Sequence, residues 1–330
     1  MNYVIKRILN MNYINFFKEI NKVHKETKKS KIYIFFDMIY CGFKYKAGYI
    51  DYRLFKMYDM NDRERKTIIT RGVNNEYIKL LNDMNYIDEF KDKAKFNNKY
   101  NKFLNRDFIL INENNYNDYL NFIKKHNEFI AKPLSESCGK GIEKIIVNHS
   151  EERKIFEKLL KNNQLLLEEI AVQHKDMSSL HPYSINTIRI VTIYGEVAAA
   201  LLRIGNNKNI VDNFNHEGLC AKIEIEEGII KYPAIDKNGV LYTKHPITNE
   251  KIIGFKIPFW NDAIKLVKDA SKLNDKVNYI GWDICIGPDK PFIIEANEFP
   301  GYDLYALPAH RDNNIGLKPY FDEIINKYKK

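Results

Sequence analysis

The stretch GWDICIGPDKPFIIEANEFPG, residues 281–301, limits the possible folds of this chain more than any other. It reads as two apolar strands joined by a Gly-Pro-Asp-Lys turn, with Asp283 in the first strand and Glu295 in the second. Asn297 follows Glu295 by two residues, so both side chains share one face of a strand. Buried carboxylates are costly unless they are paired or hold a cation. The stretch therefore predicts a strand pair that carries an oxygen-rich site.

These three side chains offer only oxygen ligands, which suit Mg²⁺ better than zinc. Proteins usually hold Mg²⁺ with one or two carboxylates together with substrate phosphates. The alternative is an acidic face of a β-hairpin, but it does not explain why both acids interrupt apolar runs. We therefore predict that Asp283, Glu295 and Asn297 hold Mg²⁺, with Mn²⁺ as an alternative ion.

The chain length and net charge are compatible with several classes of binding partner. The chain has 330 residues, of which 45% are apolar, and this suits a globular protein with two or three lobes. Its net charge of +9 fits nucleotide phosphates, an anionic sugar or peripheral contact with a membrane surface. Because no Lys/Arg block is interleaved with aromatic residues, we do not expect a nucleic-acid partner.

Cysteine use and hydropathy point to the cytoplasm. Cys41, Cys138, Cys220 and Cys285 are too far apart in the sequence for a zinc knuckle and read as reduced thiols. The first residues show no signal-peptide pattern, and no run approaches the ~20 apolar residues of a membrane span. We expect a cytoplasmic protein without a transmembrane segment.

Element patterns predict an α+β chain with a helical beginning. Residues 1–90 read as a helical or mixed region, where Ile14, Phe17, Ile20 and Val23 recur at helical spacing. Residues 91–205 read as a lobe with a glycine-rich loop and a hinge, and residues 206–330 as a lobe with the metal site. The stretch AKIEIEEGIIKYPAID predicts a hairpin with Gly228 at its turn.

The loop in KPLSESCGKGI is the first of three further candidate sites. Lys132 ends a predicted strand, and Ser137, Gly139 and Gly141 follow in a flexible loop. Backbone N–H groups of such a loop can lie over phosphates, and the lysine adds a positive charge. The alternative is an ordinary hairpin with a solvated lysine.

The second is the strand LLLEEI, which ends in Glu168 and Glu169 before an apolar run resumes. A strand that ends in this way is typical of a hinge between two lobes, and the backbone groups of such a hinge can bind an adenine edge. The alternative is a strand end with solvated acids.

The third is a pair of arginines on neighbouring strands. Arg189, in NTIRIVT, would be costly on a buried face without an anion, and Arg203 repeats the pattern in LLRIGN. Two guanidinium groups can clamp a phosphate or carboxylate, and the alternative is an ion pair with a nearby acid. Four neighbouring polar side chains are candidate contacts for the substrate: Asn186, Thr187, His181 and His216.

Four features follow one another along the chain: the lysine-glycine loop, the Glu-Glu hinge, the arginine strand and the Asp…Glu-x-Asn motif. Their order resembles that of the ATP-grasp superfamily. Phrases such as AKPLSESCGKGI, KHPITNEKIIGFKIPFW and EANEFPG are most similar to the sugar-transfer-associated ATP-grasp family of bacterial surface-polysaccharide clusters. The resemblance covers roughly residues 90–305. It implies two α+β lobes that clamp ATP, preceded here by the helical region.

The resemblance also implies roles for individual residues. Lys132 and an earlier lysine, Lys93 or Lys95, would contact phosphates, beneath a lid formed by Ser137, Gly139 and Gly141. Glu168, Glu169 and Ile170 would lie at the adenine. Asp283, Glu295 and Asn297 would hold Mg²⁺, and Arg189 and Arg203 would face the transferred phosphate.

The implied reaction phosphorylates a carboxylate with ATP, after which an amine displaces phosphate from the acyl phosphate. Such chemistry needs positioning and charge neutralisation rather than a side-chain nucleophile. We therefore expect a carboxylate–amine ligase that modifies a sugar acid or sugar-linked acceptor in capsule or surface-polysaccharide assembly. A phosphotransferase that acts on a hydroxyl, and a nucleotide-binding protein without turnover, are the alternatives.

Overall fold

The computed structural model describes residues 11–135, 140–206, 218–305 and 307–329. Backbone contacts divide the chain into two compact units. The first combines residues 1–82 with 300–330, and the second spans residues 83–299. The division of the chain predicted above, with boundaries after residues 90 and 205, stays a prediction.

Most of the first unit and the start of the second are helical. The helices within the described ranges are α1 Tyr13–Thr27, α2 Lys31–Tyr45, α3 Tyr49–Leu54, α4 Asp62–Arg65, α5 Arg71–Leu81, α6 Asp88–Lys91, α7 Lys93–Tyr100, α8 Tyr116–Lys125, α9 Glu152–Lys161, α10 Lys175–Leu180, α11 Trp260–Ser271 and α12 Lys318–Tyr328. The prediction of a helical region ahead of the strands is confirmed.

Local capping explains several helix ends in these regions. The side chain of Asn12 accepts a hydrogen bond from the Asn15 N–H at the start of α1, and Asp92 does the same for Ala94 and Lys95 at α7. Helix α1 ends where Lys28 adopts a left-handed conformation. Its buried face, Phe16, Ile20 and Val23, packs in a core with Ile34 and Met38 of α2.

The strands found in the described residues all belong to the second unit. They are β1 Phe108–Leu110, β2 Glu128–Lys132, β3 Glu143–Ile146, β4 Leu166–Glu169, β5 Ile188–Ile193, β6 Glu196–Ile204, β7 Leu219–Lys222, β8 Ala234–Ile235, β9 Leu241–Tyr242, β10 Tyr279–Ile286 and β11 Pro291–Asn297. As described, they form one sheet in the order β1-β4-β2-β3 and another in the order β11-β10-β5-β6-β7-β8-β9. Every pairing is antiparallel, so the predicted α+β class is confirmed.

Each sheet buries one face against helices. In the smaller sheet Phe129 and Leu167 pack with Phe122 of α8 and Phe156 of α9. In the larger sheet Trp282 is fully buried, and its indole N–H donates to the Thr192 hydroxyl at 2.9 Å. Burial of each such side chain contributes about 1.5–3 kcal/mol to the stability of the folded state, and this stabilises both sheets.

The hairpin predicted around Gly228 forms, but it is shorter than its alternating pattern suggests. Strand β7 ends at Lys222, and the return pairing is a single bridge between Ile223 and Ile230. Gly228 has φ +70°, and a Cβ there would lie 2.3 Å from the Trp260 ring. The indole occupies the inside of the turn, where its N–H donates to the Ile225 carbonyl at 2.7 Å.

Candidate active site

A row of charged side chains crosses the larger sheet. Asp283 on β10 pairs in register with Arg189 of β5 on one side and with Glu295 of β11 on the other. Directly opposed residues in antiparallel strands project to the same face. Residues separated by almost a hundred positions therefore meet because β10 lies between β5 and β11.

Asp283 is held by two arginines. The Arg189 guanidinium donates to both carboxylate oxygens, with an Nη2–Oδ2 distance of 2.8 Å, and Arg203 approaches the same group at 3.4 Å. Burial raises the pKa of Asp283, but the two guanidinium charges outweigh that effect and lower the pKa to about 2. Asp283 is therefore ionised at neutral pH.

Glu295 and Asn297 are less well satisfied. Burial and the neighbouring Asp283 charge raise the pKa of Glu295, although Lys132 and Arg189 partly oppose the shift. The Asn297 amide nitrogen has no exposed surface and no hydrogen-bond partner among the described residues. An amide oxygen and nitrogen can exchange places by rotation, so Asn297 can present its oxygen instead.

This oxygen set fits a divalent cation. A carboxylate has about four lone-pair sites, so Asp283 can accept from arginine and still offer an oxygen to a metal. A cation would also favour the ionised form of Glu295 and give the orphaned Asn297 amide a role. The donor set thus has the chemistry expected for Mg²⁺.

A second charged cluster lies on the smaller sheet around Glu168. Lys132 donates to its Oε2, while Arg106 and Asn97 donate to Oε1 at 3.1 and 2.7 Å. Burial would raise the pKa of Glu168, but the charges of Arg106 and Lys132 and their hydrogen bonds hold it well below its usual range. The cluster is charged, buried and fully hydrogen-bonded.

Arg106 also joins the two sheets. It donates to the Ile293 carbonyl at 2.7 Å and to the Ile294 carbonyl at 2.9 Å, both on β11 beside Glu295. Neither Arg106 nor Asn97 was predicted from the sequence. A single arginine before a short strand carries no distinguishing pattern, and Asn97 lies inside a helix.

The phosphate-loop candidates fall around Pro133. A Cβ on Gly141, which has φ +73°, would lie 3.0 Å from the Pro133 ring, so the close approach requires glycine. The Lys93 N–H donates to the Leu134 carbonyl at 3.0 Å, whereas Lys95 is exposed beside Asp88. Lys93 is thus the closer of the two to this loop. Ser137 and Gly139 lie outside the described residues.

The hinge candidates separate onto two faces. Glu169 turns away from Glu168, and its carboxylate accepts from the Asp107 N–H at 2.9 Å. Ligand atoms of Asp107, His126 and Glu169 lie within 4.8 Å of one another. Ile170 begins the segment that leaves β4, and this segment reaches the larger sheet where the His174 N–H donates to the Ile286 carbonyl at 2.7 Å.

The predicted substrate contacts lie near the start of β5. The Asn186 amide donates to the carbonyls of Met177 and His181 at 2.7 and 2.9 Å, and the fully buried His181 ring lies 3.0 Å from the Ser184 hydroxyl. Thr187 is buried, and its carbonyl accepts from the Arg203 N–H at 2.8 Å. His216 lies outside the described residues.

Comparison with known proteins identifies the family. The family described as "Sugar-transfer associated ATP-grasp" matches residues 72–315. A search of curated proteins returned no match.

Several solved structures are similar in fold at low identity. The ATP-grasp ligase PsnB complexed with a minimal precursor is 13% identical, covering 80% of this chain and 71% of its own, with a TM-score of 0.45. D-alanine–D-alanine ligase from Bacillus anthracis is also 13% identical, covering 77% and 74%, with a TM-score of 0.42. D-cycloserine synthetase DcsG is 11% identical, covering 73% and 72%, with a TM-score of 0.43.

The family match covers most of the chain and includes both sheets and the charged row. The resemblance drawn from the sequence is thereby confirmed, and so is the expected fold. The chain belongs to the sugar-transfer-associated ATP-grasp family.

Proposed function

We propose that the protein is an ATP- and Mg²⁺-dependent carboxylate–amine ligase that works through an acyl phosphate. The observation that supports this most is the row Arg189–Asp283–Glu295 with Asn297 beside it. It places three side chains that offer oxygen ligands next to two arginines, and one of the three, Asn297, has an orphaned amide nitrogen among the described residues. Such a site suits a phosphoryl group that must be neutralised on several sides during transfer.

In this proposal Asp283, Glu295 and Asn297 hold the metal. When bound, Mg²⁺ would offset the negative charge of the ATP phosphates. Arg189 keeps Asp283 ionised and oriented through its two hydrogen bonds. Lys132 and Lys93 bind phosphates beside the loop that includes Ser137, Gly139 and Gly141, and Glu168, Glu169 and Ile170 lie at the adenine.

Arg203 is the proposed contact for the second anion. Its side chain is 21% exposed and approaches Asp283 only at 3.4 Å, whereas Arg189 is more deeply buried and binds Asp283 through two close contacts. A planar guanidinium holds a carboxylate in a bidentate way. Of the other predicted substrate contacts, Asn186 and His181 use polar atoms in internal hydrogen bonds, so we give them a supporting role.

In the proposed reaction, a carboxylate oxygen attacks the γ-phosphorus of ATP and ADP leaves. An amine then attacks the carbonyl carbon, forms the amide bond and expels inorganic phosphate. The family's association with sugar transfer supports a sugar acid or sugar-linked acceptor in capsule or surface-polysaccharide assembly. We propose that this reaction occurs in the cytoplasm, where ATP is available.

An isotope experiment tests the proposal. Purified protein would be incubated with ATP, Mg²⁺, a panel of amines and sugar acids carrying ¹⁸O in the carboxylate. An acyl-phosphate route transfers one ¹⁸O atom into the released phosphate, and release requires both acid and amine. A phosphorylated sugar without free phosphate would instead identify a phosphotransferase, and ATP binding without turnover would contradict catalysis.

A further inference from the structure

The first unit exposes an apolar surface on helices α1 and α2. We call it the outward face and define it by Ile14, Phe17, Ile32, Phe36, Tyr40 and Phe43. Ile14 is 70% exposed, Ile32 72% and Phe36 64%. Single exposed apolar residues are ordinary, but a cluster of this kind marks an interaction site.

Helix α2 is apolar on two opposite sides. Ile34, Met38 and Cys41 are buried in the core of the first unit. Ile32, Phe36, Tyr40 and Phe43 follow at spacings of four, four and three, which places them together on the opposite side. A helix that is apolar all round is expected to be covered on both sides.

Aromatic contacts make the surface continuous between the helices. The rings of Phe17 on α1 and Phe35 on α2 stack with centroids 6.4 Å apart. Phe35 in turn meets Phe36 edge-on at 5.3 Å. The exposed residues of α1 and α2 therefore form one surface rather than two separate stripes.

The charges around this surface are mainly positive. Residues 13–46 contain eight lysines and three acids. The acids Glu19 and Asp37 are paired with basic side chains. Four of the lysines are paired with acids as well, namely Lys22, Lys29, Lys44 and Lys46. The positive charge that borders the surface therefore comes from Lys18, Lys25, Lys28 and Lys31. On α1, Lys18 and Lys25 follow Ile14 at spacings of four and eleven, so these lysines border the apolar residues.

We propose that the outward face docks onto a membrane surface that contains anionic lipids. Aromatic and aliphatic side chains would enter the headgroup–acyl boundary while the lysines contact lipid phosphates. A second copy of the chain is a poorer occupant, because it would bring two lysine-rich borders together. No helix in the described part of the chain is long and apolar enough to cross a membrane, so the contact is interfacial.

Vesicle sedimentation tests this docking surface with the full chain. We expect the protein to sediment with vesicles of about equal parts phosphatidylglycerol and phosphatidylcholine, and to stay in solution with phosphatidylcholine alone. The double variant Phe36→Gln/Phe43→Gln should bind at least ten-fold more weakly. The matched control is Leu241→Gln/Ile247→Gln, which alters two exposed apolar residues of the second unit and should bind as the wild type does.

Further variants separate charge from apolar contact. Lys18→Glu/Lys25→Glu should weaken binding to the anionic vesicles, and added salt should do the same to the wild-type protein. Ile14→Gln/Phe17→Gln repeats the apolar test on α1, and a thermal melt checks that each variant folds. The proposal would be overturned if the wild-type protein did not sediment with anionic vesicles. So would a dimer that Phe36→Gln/Phe43→Gln converts to a monomer, since a second copy would then cover the face.

Discussion

Two clusters in the second unit are built from similar residues but differ in how well they are satisfied. The Glu168 carboxylate accepts hydrogen bonds from Lys132, Arg106 and Asn97, and its pKa is lowered. Around Glu295 the pKa is raised, and the adjacent Asn297 amide has an orphaned nitrogen among the described residues. The first cluster is complete without a ligand, whereas the second gains from a cation.

The contrast distinguishes a cluster whose charges are balanced within the protein from one that lacks positive charge. A buried charge with all its partners holds parts of the fold in register. An acid that lies beside another acid and is shielded from water is unfavourable in its ionised form until a cation neutralises it. Removal of the glutamate charge at neutral pH should therefore lower folding stability in the Glu168 cluster, whereas in the Glu295 cluster it should leave stability unchanged or raise it.

The largest expected effect is the loss of ATP turnover when Glu295 loses its charge. Glu295→Gln should lower ATP turnover by at least a hundred-fold, because metal binding needs the ionised carboxylate. The melting temperature should stay the same or rise, because an unfavourable buried charge is removed. Phosphate release and a thermal melt measure both, with the exposed Glu250→Gln as control. Turnover at the wild-type rate would show that Glu295 does not hold the metal.

Loss of Arg106 should mainly affect stability. Arg106→Met removes one of the two cations that bind Glu168, so that Lys132 remains as its charged partner, and it removes the link to the β11 carbonyls. Breaking a buried ion pair costs about 3–5 kcal/mol in free energy of unfolding. Chemical denaturation measures this loss, and the exposed Arg153→Met should change stability far less. A difference of less than about 1 kcal/mol between the two variants would mean that Arg106 is not structurally important.

The two glutamates should also differ in their pH dependence. Because the folded-state pKa of Glu168 is lowered, its stabilisation is present above the unfolded value of about 4.3 and is lost as pH falls through the folded value. The raised pKa of Glu295 acts in the opposite direction, since ionisation above about 4.3 progressively destabilises the fold until the folded value is passed.

Denaturation of Glu168→Gln and Glu295→Gln across this pH range tests the comparison. Relative to wild type, Glu168→Gln should be less stable at neutral pH and approach wild type in acid. Glu295→Gln should be as stable or more stable at neutral pH, and the difference should shrink in acid. Curves of the same sign for both variants would contradict the distinction.

A smaller effect is expected for the arginines. Arg203→Lys should lower coupled turnover about ten-fold, or about 1.4 kcal/mol in barrier, while the ATP dissociation constant stays near wild type. The reason is that lysine cannot hold a carboxylate in a bidentate way. Arg189→Lys should instead weaken metal-dependent ATP binding, because it releases one of the two bonds to Asp283. If the two variants behaved alike, Arg203 would have no separate role toward the acceptor.

Much of this architecture was predictable from local sequence. Alternating and apolar runs identified the strands, and the acids within them identified Asp283 and Glu295 because a charge in an apolar run is conspicuous. Arg189 was recognised for the same reason, and the sequence left open whether its partner was a ligand or an acid. The structure places it on Asp283, a contact that depends on strand order.

Other features depended on tertiary contacts that no local pattern reveals. The link from Arg106 to Ile293 and Ile294 spans almost two hundred residues of sequence. Glu168 and Glu169 are adjacent in sequence, yet they face opposite sides of the smaller sheet and have different partners. The turn at Gly228 was foreseen, but its shortening by the Trp260 ring was not.

The most direct test of the central claim is to locate the metal. Crystals grown with Mn²⁺ and a non-hydrolysable ATP analogue would reveal the ion by its anomalous scattering. We expect Mn²⁺ bound to oxygens of Asp283, Glu295 and Asn297 together with the nucleotide phosphates. An ion found instead among Asp107, His126 and Glu169, with the Glu295 cluster empty while nucleotide is bound, would contradict the account.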